Sequence, residues 1–206
     1  MKVAVVGGTG AFGTALAGRL RDAGYDVVIG SRDATRAAAA AAEIGVEGAT
    51  NADAARAADF VILATKSDGA IETARELRSA IGATPVLSVA AELRFSPAGV
   101  EPTPEATSIA QRLQAELDAP VVAGLHSLAA SNLGGDEAPE EDALVCGDDA
   151  SAKALALELA GRLTNGVAVD AGPLASARAL EGMTAVIVNV NKRYKAHAGL
   201  RITGLS

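Results

Sequence analysis

Aromatic side chains are nearly missing from this 206-residue chain, which has no tryptophan, two tyrosines and three phenylalanines. Binders of single-stranded nucleic acid stack bases on such rings, so that class is disfavoured. Cations are also in deficit: 18 Lys and Arg against 25 Asp and Glu give a formal charge of −7, which argues against general nucleic-acid affinity. A lone cysteine, Cys146, cannot form an internal disulfide, and a reducing cytoplasm is the expected compartment. Long apolar runs are absent; the run near the C-terminus, MTAVIVNV, is far too short to span a bilayer. A strand-like run begins within two residues of the N-terminus, leaving no room for a signal peptide. No Ser/His/Asp spacing, paired acid and base, or metal-ligating cluster is visible, so no metal is expected.

What the chain does have is aliphatic material. Half of its residues are apolar, mostly Ala, Val, Leu and Ile, enough for the core of one domain with or without an appendage. Strand candidates recur as KVAVVG, YDVVIG, DFVILAT, PVLSVA, PVVAGL, ALVCGD and VAVDAG. Most are β-branched runs without polar alternation, the pattern of strands buried on both faces in a mostly parallel sheet. Helices are expected at 14–23, 34–44, 52–57, 69–81, 104–117, 151–163 and from 175 to about 197. Six consecutive alanines, Ala37 to Ala42, form helix readily and pack closely on a sheet. The expected fold class is α/β: a Rossmann-like, doubly wound, mostly parallel sheet on residues 1–172, with a small helical part on 173–206. Two stretches read as irregular, 91–103 and 131–142. Both follow strand ends, where open α/β sheets hold ligands. The acidic run GGDEAPEED within the second reads as a solvated loop.

Gly8-Thr9-Gly10-Ala11-Phe12-Gly13 matches G-x-G-x-x-G directly after a buried-type strand and at the opening of a helix, with a second strand following. Gly8 permits the tight turn, Gly10 lets the backbone approach a pyrophosphate, and Gly13 lets helix and strand pack closely. The helix N-terminus offers free N–H groups to phosphates. The second strand ends on Ser31-Arg32, where an NAD-preferring site usually places an acid for the ribose hydroxyls. Arg32 and Arg36 share one helical face if the helix begins there, and a guanidinium grips phosphate oxygens with two parallel bonds. Thr9 and Ser31 add hydroxyl donors. Charge-assisted bonds are worth roughly 1.5–3 kcal/mol each, so two of them prefer NADP by more than tenfold. Asp33 reads as the cap of the next helix, Asp148-Asp149 as a cap as well, and Cys146 as a core residue.

The pieces VAVVGGTGAFG, VVIGSRD, LHSLAA, LVCGDD, VDAGPLASARALEGMTAVIVN and NKRYKAHAGLRITGL span essentially the whole chain. Together they resemble the NADP-dependent reductases of the 8-hydroxy-5-deazaflavin coenzyme F420. The resemblance implies hydride exchange between NADP(H) and coenzyme F420 as co-substrate. It places the NADP-phosphate contacts on Thr9, Ser31, Arg32 and Arg36, and Thr65-Lys66 along the nicotinamide half; the family more often carries an apolar-Pro pair there. It puts the family's histidine on His126 and a polar position of the deazaflavin pocket on Thr184, with Gly182 where serine can stand. Small residues, namely Gly124, Ala129, Ala130 and Gly182, let two flat rings approach. The stretch AAELRFSPAGVEP matches poorly.

Under that resemblance no catalytic triad is needed, because both coenzymes carry their own hydride chemistry. His126 has two readings: a hydrogen bond to a coenzyme with stabilisation of charge during reduction, or a histidine satisfied by a loop carbonyl. Lys192, Arg193 and Lys195, near the end of an acidic chain, either finish a helix or steer the polyanionic coenzyme. The apolar run Met183–Val190 suits a homodimer contact. Two other readings stay open at this point: an NADPH-dependent reductase of another acceptor (imine, flavin or ferric chelate), and a non-catalytic NADP-binding redox sensor.

Overall fold

The computed structural model describes residues 1–205. The chain opens with β1 (Lys2–Val6), α1 (Ala11–Asp22), β2 (Asp26–Ser31), α2 (Ala34–Ile44), β3 (Glu47–Thr50) and α3 (Asn51–Ala57). It continues with β4 (Phe60–Leu63), α4 (Ser67–Ile81), β5 (Val86–Ser88), a hairpin of β6 (Leu93–Ser96) and β7 (Gly99–Pro102), and α5 (Ile109–Glu116). Then come β8 (Val121–Gly124), α6 (Ala130–Leu133), β9 (Ala143–Gly147), α7 (Ala150–Leu163), β10 (Ala168–Asp170), a 3-10 turn (Leu174–Ser176) and α8 (Ala177–Tyr194).

Eight strands form one sheet in the order β10-β9-β8-β5-β4-β1-β2-β3. All pairs are parallel except β8 with β9. The chain therefore winds outward from β1 to β3, then crosses back to β4 and winds the other way. The switch point lies between β1 and β4, and a sheet of this kind opens its ligand crevice there. The two faces are covered separately. Val3, Val5, Ile29, Phe60 and Ile62 pack under α1 and α7, while Ala4, Val6, Val61 and Leu63 pack under α3, α4, α5 and α8. These strand residues are 0 % exposed, as continuous apolar runs in a two-sided sheet require.

Three local expectations change. The stretch 91–103 is not irregular; β6 and β7 pair antiparallel from Leu93↔Pro102 to Ser96↔Gly99. Its strands are mostly exposed, so no apolar alternation betrays them. The helix expected from residue 104 starts at Ile109, because Ser108 and Gln111 form a reciprocal capping box that fixes the first turn there. The run GGDEAPEED is only partly a solvated loop. Arg19 of α1, itself 9 % exposed, donates to the carbonyls of Leu133 (3.1 Å), Gly135 and Glu137, and Asp142 is 2 % exposed. Asp142 accepts from the N–H groups of Val167 (2.9 Å) and Ile202 (2.6 Å), so it pins the C-terminal residues to the sheet edge. These two backbone hydrogen bonds hold its carboxyl below the usual carboxylate range.

Candidate active site

The glycine turn is built by close approach. Gly7 takes φ 70°, a left-handed conformation, and Gly13 has no room for a side chain: a Cβ there would stand 2.5 Å from Gly8 Cα. A Cβ on Gly10, by contrast, would meet nothing within 4 Å, so that residue faces open space. Helix α1 starts at Ala11, three residues before the sequence expectation, with Gly10 as a cap that offers no side-chain bond. Its first-turn N–H groups are thus free, and no acid sits in that turn to occupy them. An uncapped N-terminus above an open glycine is a cradle for a phosphate pair.

Asn51, which sequence reasoning missed, holds this turn from beneath. Its side-chain oxygen accepts from Gly7 N–H at 3.2 Å. It fits because Gly30 lacks a side chain; a Cβ there would lie 2.8 Å from that oxygen. The Thr50–Asp53 pair that caps α3 fixes where Asn51 stands (Asp53 N–H to Thr50 Oγ1, 3.1 Å), and this capping pattern was the available signal.

At the end of β2, Ser31 is 7 % exposed and its hydroxyl accepts from Asp33 N–H at 3.3 Å. Asp33 caps α2, accepting from Thr35 and Arg36 N–H. The cap corrects the shared-face argument for the arginine pair: Arg32 precedes the helix and only Arg36 belongs to its first turn. Both are exposed, and neither makes an ion pair among the described residues. Thr9 is half-buried in the glycine turn.

Across the switch point, Thr65 presses on the turn, since a Cβ on Gly7 would meet Thr65 Cγ2 at 2.6 Å. Its hydroxyl is buried without a partner. Lys66 is exposed at the head of α4, where it gives no capping bond. Ala130 begins α6, which leans on α1 beside Ala15 and Gly134.

His126 follows Leu125, a fully buried leucine at φ 64°. Such backbone strain in a bulky residue is rare and gathers at functional sites. His126 is itself 7 % exposed, and its Nε2 lies 3.1 Å from the Ala90 carbonyl. A carbonyl only accepts, so Nε2 carries a proton and donates. Burial pulls its pKa down to about 4. Of its two readings, the carbonyl-satisfied one matches this geometry; an uncharged ring does not stabilise negative charge as an imidazolium does. The backbone carbonyl of His126 accepts from the Thr184 hydroxyl (3.1 Å), which docks α8 on the strand end. Gly182 faces the hairpin, and a Cβ there would stand 3.3 Å from Pro102 Cγ. Asn189 completes that contact: it accepts from Val100 N–H (2.8 Å) and donates to the Val100 carbonyl (2.7 Å), like a neighbouring strand. Lys192, Arg193 and Lys195 are exposed at the end of α8, with the Lys192 ammonium 5.3 Å from the centre of the Phe95 ring. The structure therefore gathers residues 7–13, 31–36 and 65–66 around one crevice, with 126 and 184 at its far end, while Gly182 lies against the hairpin instead and the cations stand at the outer end of α8.

A doubly wound sheet with such a cradle at its switch point defines a dinucleotide-binding protein of the Rossmann-like class. Comparison with known proteins narrows this. A family model described as NADP oxidoreductase, coenzyme F420-dependent, matches residues 2–92. An F420-dependent NADP reductase of Methanothermobacter thermautotrophicus is 34 % identical over 100 % of this chain and 96 % of its own length. One of Methanocaldococcus jannaschii is also 34 % identical, over 100 % of this chain and 99 % of its own. A crystal structure of a candidate F420-dependent NADP reductase from Arthrobacter sp. FB24 superposes with a TM-score of 0.87 at 27 % identity, covering 99 % of this chain and 100 % of that one. The chain belongs to the F420-dependent NADP reductase family.

Proposed function

We propose that this protein transfers a hydride between NADP(H) and coenzyme F420. The observation that carries the reading is the full-length likeness to F420-dependent NADP reductases on a chain whose phosphate cradle is open and whose β2 end carries Ser31-Arg32 in place of an acid. The residues present fit the nucleotide. The free N–H groups of α1 receive its pyrophosphate, and Ser31, Arg32, Arg36 and Thr9 receive the 2′-phosphate. Lys66 adds a cation beside the glycine turn; at the head of a helix a cation is disfavoured by about 0.3–1 kcal/mol unless an anion joins it. Thr65 Oγ1, buried and unpartnered, offers a hydrogen bond to the nicotinamide half.

The two coenzymes supply the hydride donor and acceptor carbons when bound, so the protein's task is to stack them and exclude water. Ala129 and Ala130 leave room for this, whereas the expectation for Gly124 and Gly182 is corrected: Leu144 and Val145 of β9 fill the space beside Gly124, and Pro102 of the hairpin that beside Gly182. His126 acts as a neutral positioning group through its backbone carbonyl and Thr184. Lys192, Arg193 and Lys195 steer the anionic coenzyme. In this reading residues 1–172 bind the nucleotide, and 173–206 complete the deazaflavin pocket. The same helix forms a homodimer: Val186 (61 % exposed), Val190 (36 %) and Tyr194 (71 %) recur every fourth residue along α8 as an uncovered apolar stripe. The proposed compartment is the cytoplasm, which suits a single buried thiol that burial pushes up to about 11. Among the described residues no helix is long and apolar enough to cross a membrane.

The test is a mixture of protein, NADPH and oxidised F420, followed by the coenzyme's visible absorbance. The reading expects the absorbance to fall at a rate proportional to protein. No loss with F420, alongside turnover of another acceptor, would overturn it.

A further inference from the structure

Apart from Tyr25 Oη, the buried side-chain atoms without a hydrogen-bond partner gather at two places among the described residues. Thr65 Oγ1, Ser88 Oγ and His126 Nδ1 lie at or just past the C-terminal ends of β4, β5 and β8, in the crevice already described. Arg112 Nε, Arg178 Nη1 and Glu181 Oε2 form the second group, between α5, α8 and the hairpin. Nothing in the proposed chemistry uses this second group.

Glu181 is 1 % exposed. One carboxyl oxygen accepts from Ala110 N–H, in the first turn of α5, at 3.4 Å. The other stands 3.9 Å from an Arg178 nitrogen, too far for a hydrogen bond. Arg178 is occupied elsewhere: it donates to the carbonyls of Glu105 (3.0 Å) and Thr103, just beyond β7. Arg112 of α5 donates to Glu92 at 2.7 Å, and Glu92 also accepts from the Thr103 hydroxyl at 3.1 Å. One carboxyl group thus sits where α5, α8 and the returning arm of the hairpin meet.

Its place along α8 matters. The next residue is Gly182, against Pro102; three residues on is Thr184, docked on His126. Arg178, Gly182 and Asn189 fall on one face of a 3.6-residue helix, and all three touch the segment 99–105. Glu181 and Thr184 lie off that face, toward α5 and the strand ends. Glu181 therefore stands at the start of the helical turn that separates hairpin from strand ends.

We propose that Glu181 is a positioning residue for the acceptor coenzyme: it holds the Gly182–Thr184 turn against α5 and the hairpin, and so sets how the deazaflavin is seated. This rests on the F420 reading above. The charged groups facing it are Arg178 on α8, Arg112 on α5 and, through Arg112, Glu92 at the hairpin's stem; His126, on the strand side, is neutral. Burial pushes the Glu181 carboxyl up to about 7, so its charge changes in the neutral range. Ionised, it accepts more strongly from the Ala110 and Ile109 N–H groups at the head of α5 and is attracted by the two guanidinium groups, so the turn is held more tightly.

Glu181→Gln keeps an oxygen for Ala110 and abolishes the change of charge. KM for F420 and for NADPH is measured from about pH 6 to pH 8.5 in both proteins, and the coenzyme's own ionisations cancel in the wild-type to variant ratio. The expected result is a ratio for F420 that changes about threefold or more across neutral pH, with a constant ratio for NADPH. Glu181→Ala raises KM for F420 about tenfold, with NADPH binding, read by fluorescence, as in wild type. A flat F420 ratio, or equal effects on both KM values, overturns the inference. Should the Ala variant not fold, the Gln series decides alone. Wild-type protein inactive with F420 would remove the underlying reading; active wild type with an indifferent Gln variant removes only this inference.

Discussion

Two buried titratable groups, His126 at the end of β8 and Glu181 between α5 and α8, pull stability in opposite directions with pH, and the opposition can be measured. His126 titrates at about 4 in the folded chain against an ordinary 6.5. Between those values the unfolded chain binds a proton that the native chain does not, so stability rises with pH through that window and is lost as pH falls. Glu181 titrates at about 7 against an ordinary 4.5. There the native chain holds the extra proton, so stability falls as pH rises from 4.5 to 7 and is flat above. Each span is worth on the order of 3 kcal/mol at about 1.4 kcal/mol per pKa unit. Their slopes cancel from pH 4.5 to 6.5 in the wild-type protein. Urea denaturation of wild type and Glu181→Gln across this range exposes the cancelled part. The wild-type minus variant difference should decline by about 3 kcal/mol between acid and neutral pH, and the corresponding difference for His126→Asn should climb by a similar amount. Two differences that stay flat with pH would show that neither side chain is desolvated as its burial implies.

Other outcomes follow from the same geometry. Gly13→Ala forces a Cβ onto the Gly8 backbone, so it should cost about 1–3 kcal/mol, lower Tm by several degrees and abolish NADPH binding by fluorescence titration. Arg32→Ala with Arg36→Ala should lower the ratio of NADPH to NADH affinity by more than tenfold, whereas Lys66→Met should weaken both nucleotides equally, because both carry a pyrophosphate. Neutralising Lys192, Arg193 and Lys195 together should raise KM for F420, more strongly at low ionic strength, and leave that of NADPH alone. Val186→Lys with Val190→Lys should leave a monomer by light scattering if the α8 stripe is the dimer contact.

Legibility followed the range of the interactions involved. The glycine turn, the capping Asp33 and the buried strands could be read because their causes lie within a few residues of sequence: a β-branched run, a glycine spacing, an acid before alanines. The hairpin could not be read. Arg94 and Glu101 pair across it, and Asn189 holds it from a helix 89 residues away. Strand β3, with the sequence Glu-Gly-Ala-Thr, carries no strand signal; it forms because Gly48 lets the backbone at Ala37 approach closely. Asn51 and Glu181 were overlooked for the same reason. A lone amide and a lone acid look like surface residues until the fold brings Gly7 to one and Ala110 to the other. Arg32 and Arg36 show a partial success. Their residue types were informative, but their geometry depends on where Asp33 starts the helix.

Hydride exchange between two coenzymes held face to face is direct, with no solvent proton at the transferred position. NADPH deuterated at C4 on one face or the other, mixed with oxidised F420 and stoichiometric protein, tests it when the reduced coenzyme is weighed by mass spectrometry. One of the two labelled diastereomers, and not the other, should deliver its deuterium to the deazaflavin ring. Reduced coenzyme that carries no label from either isomer would contradict direct transfer.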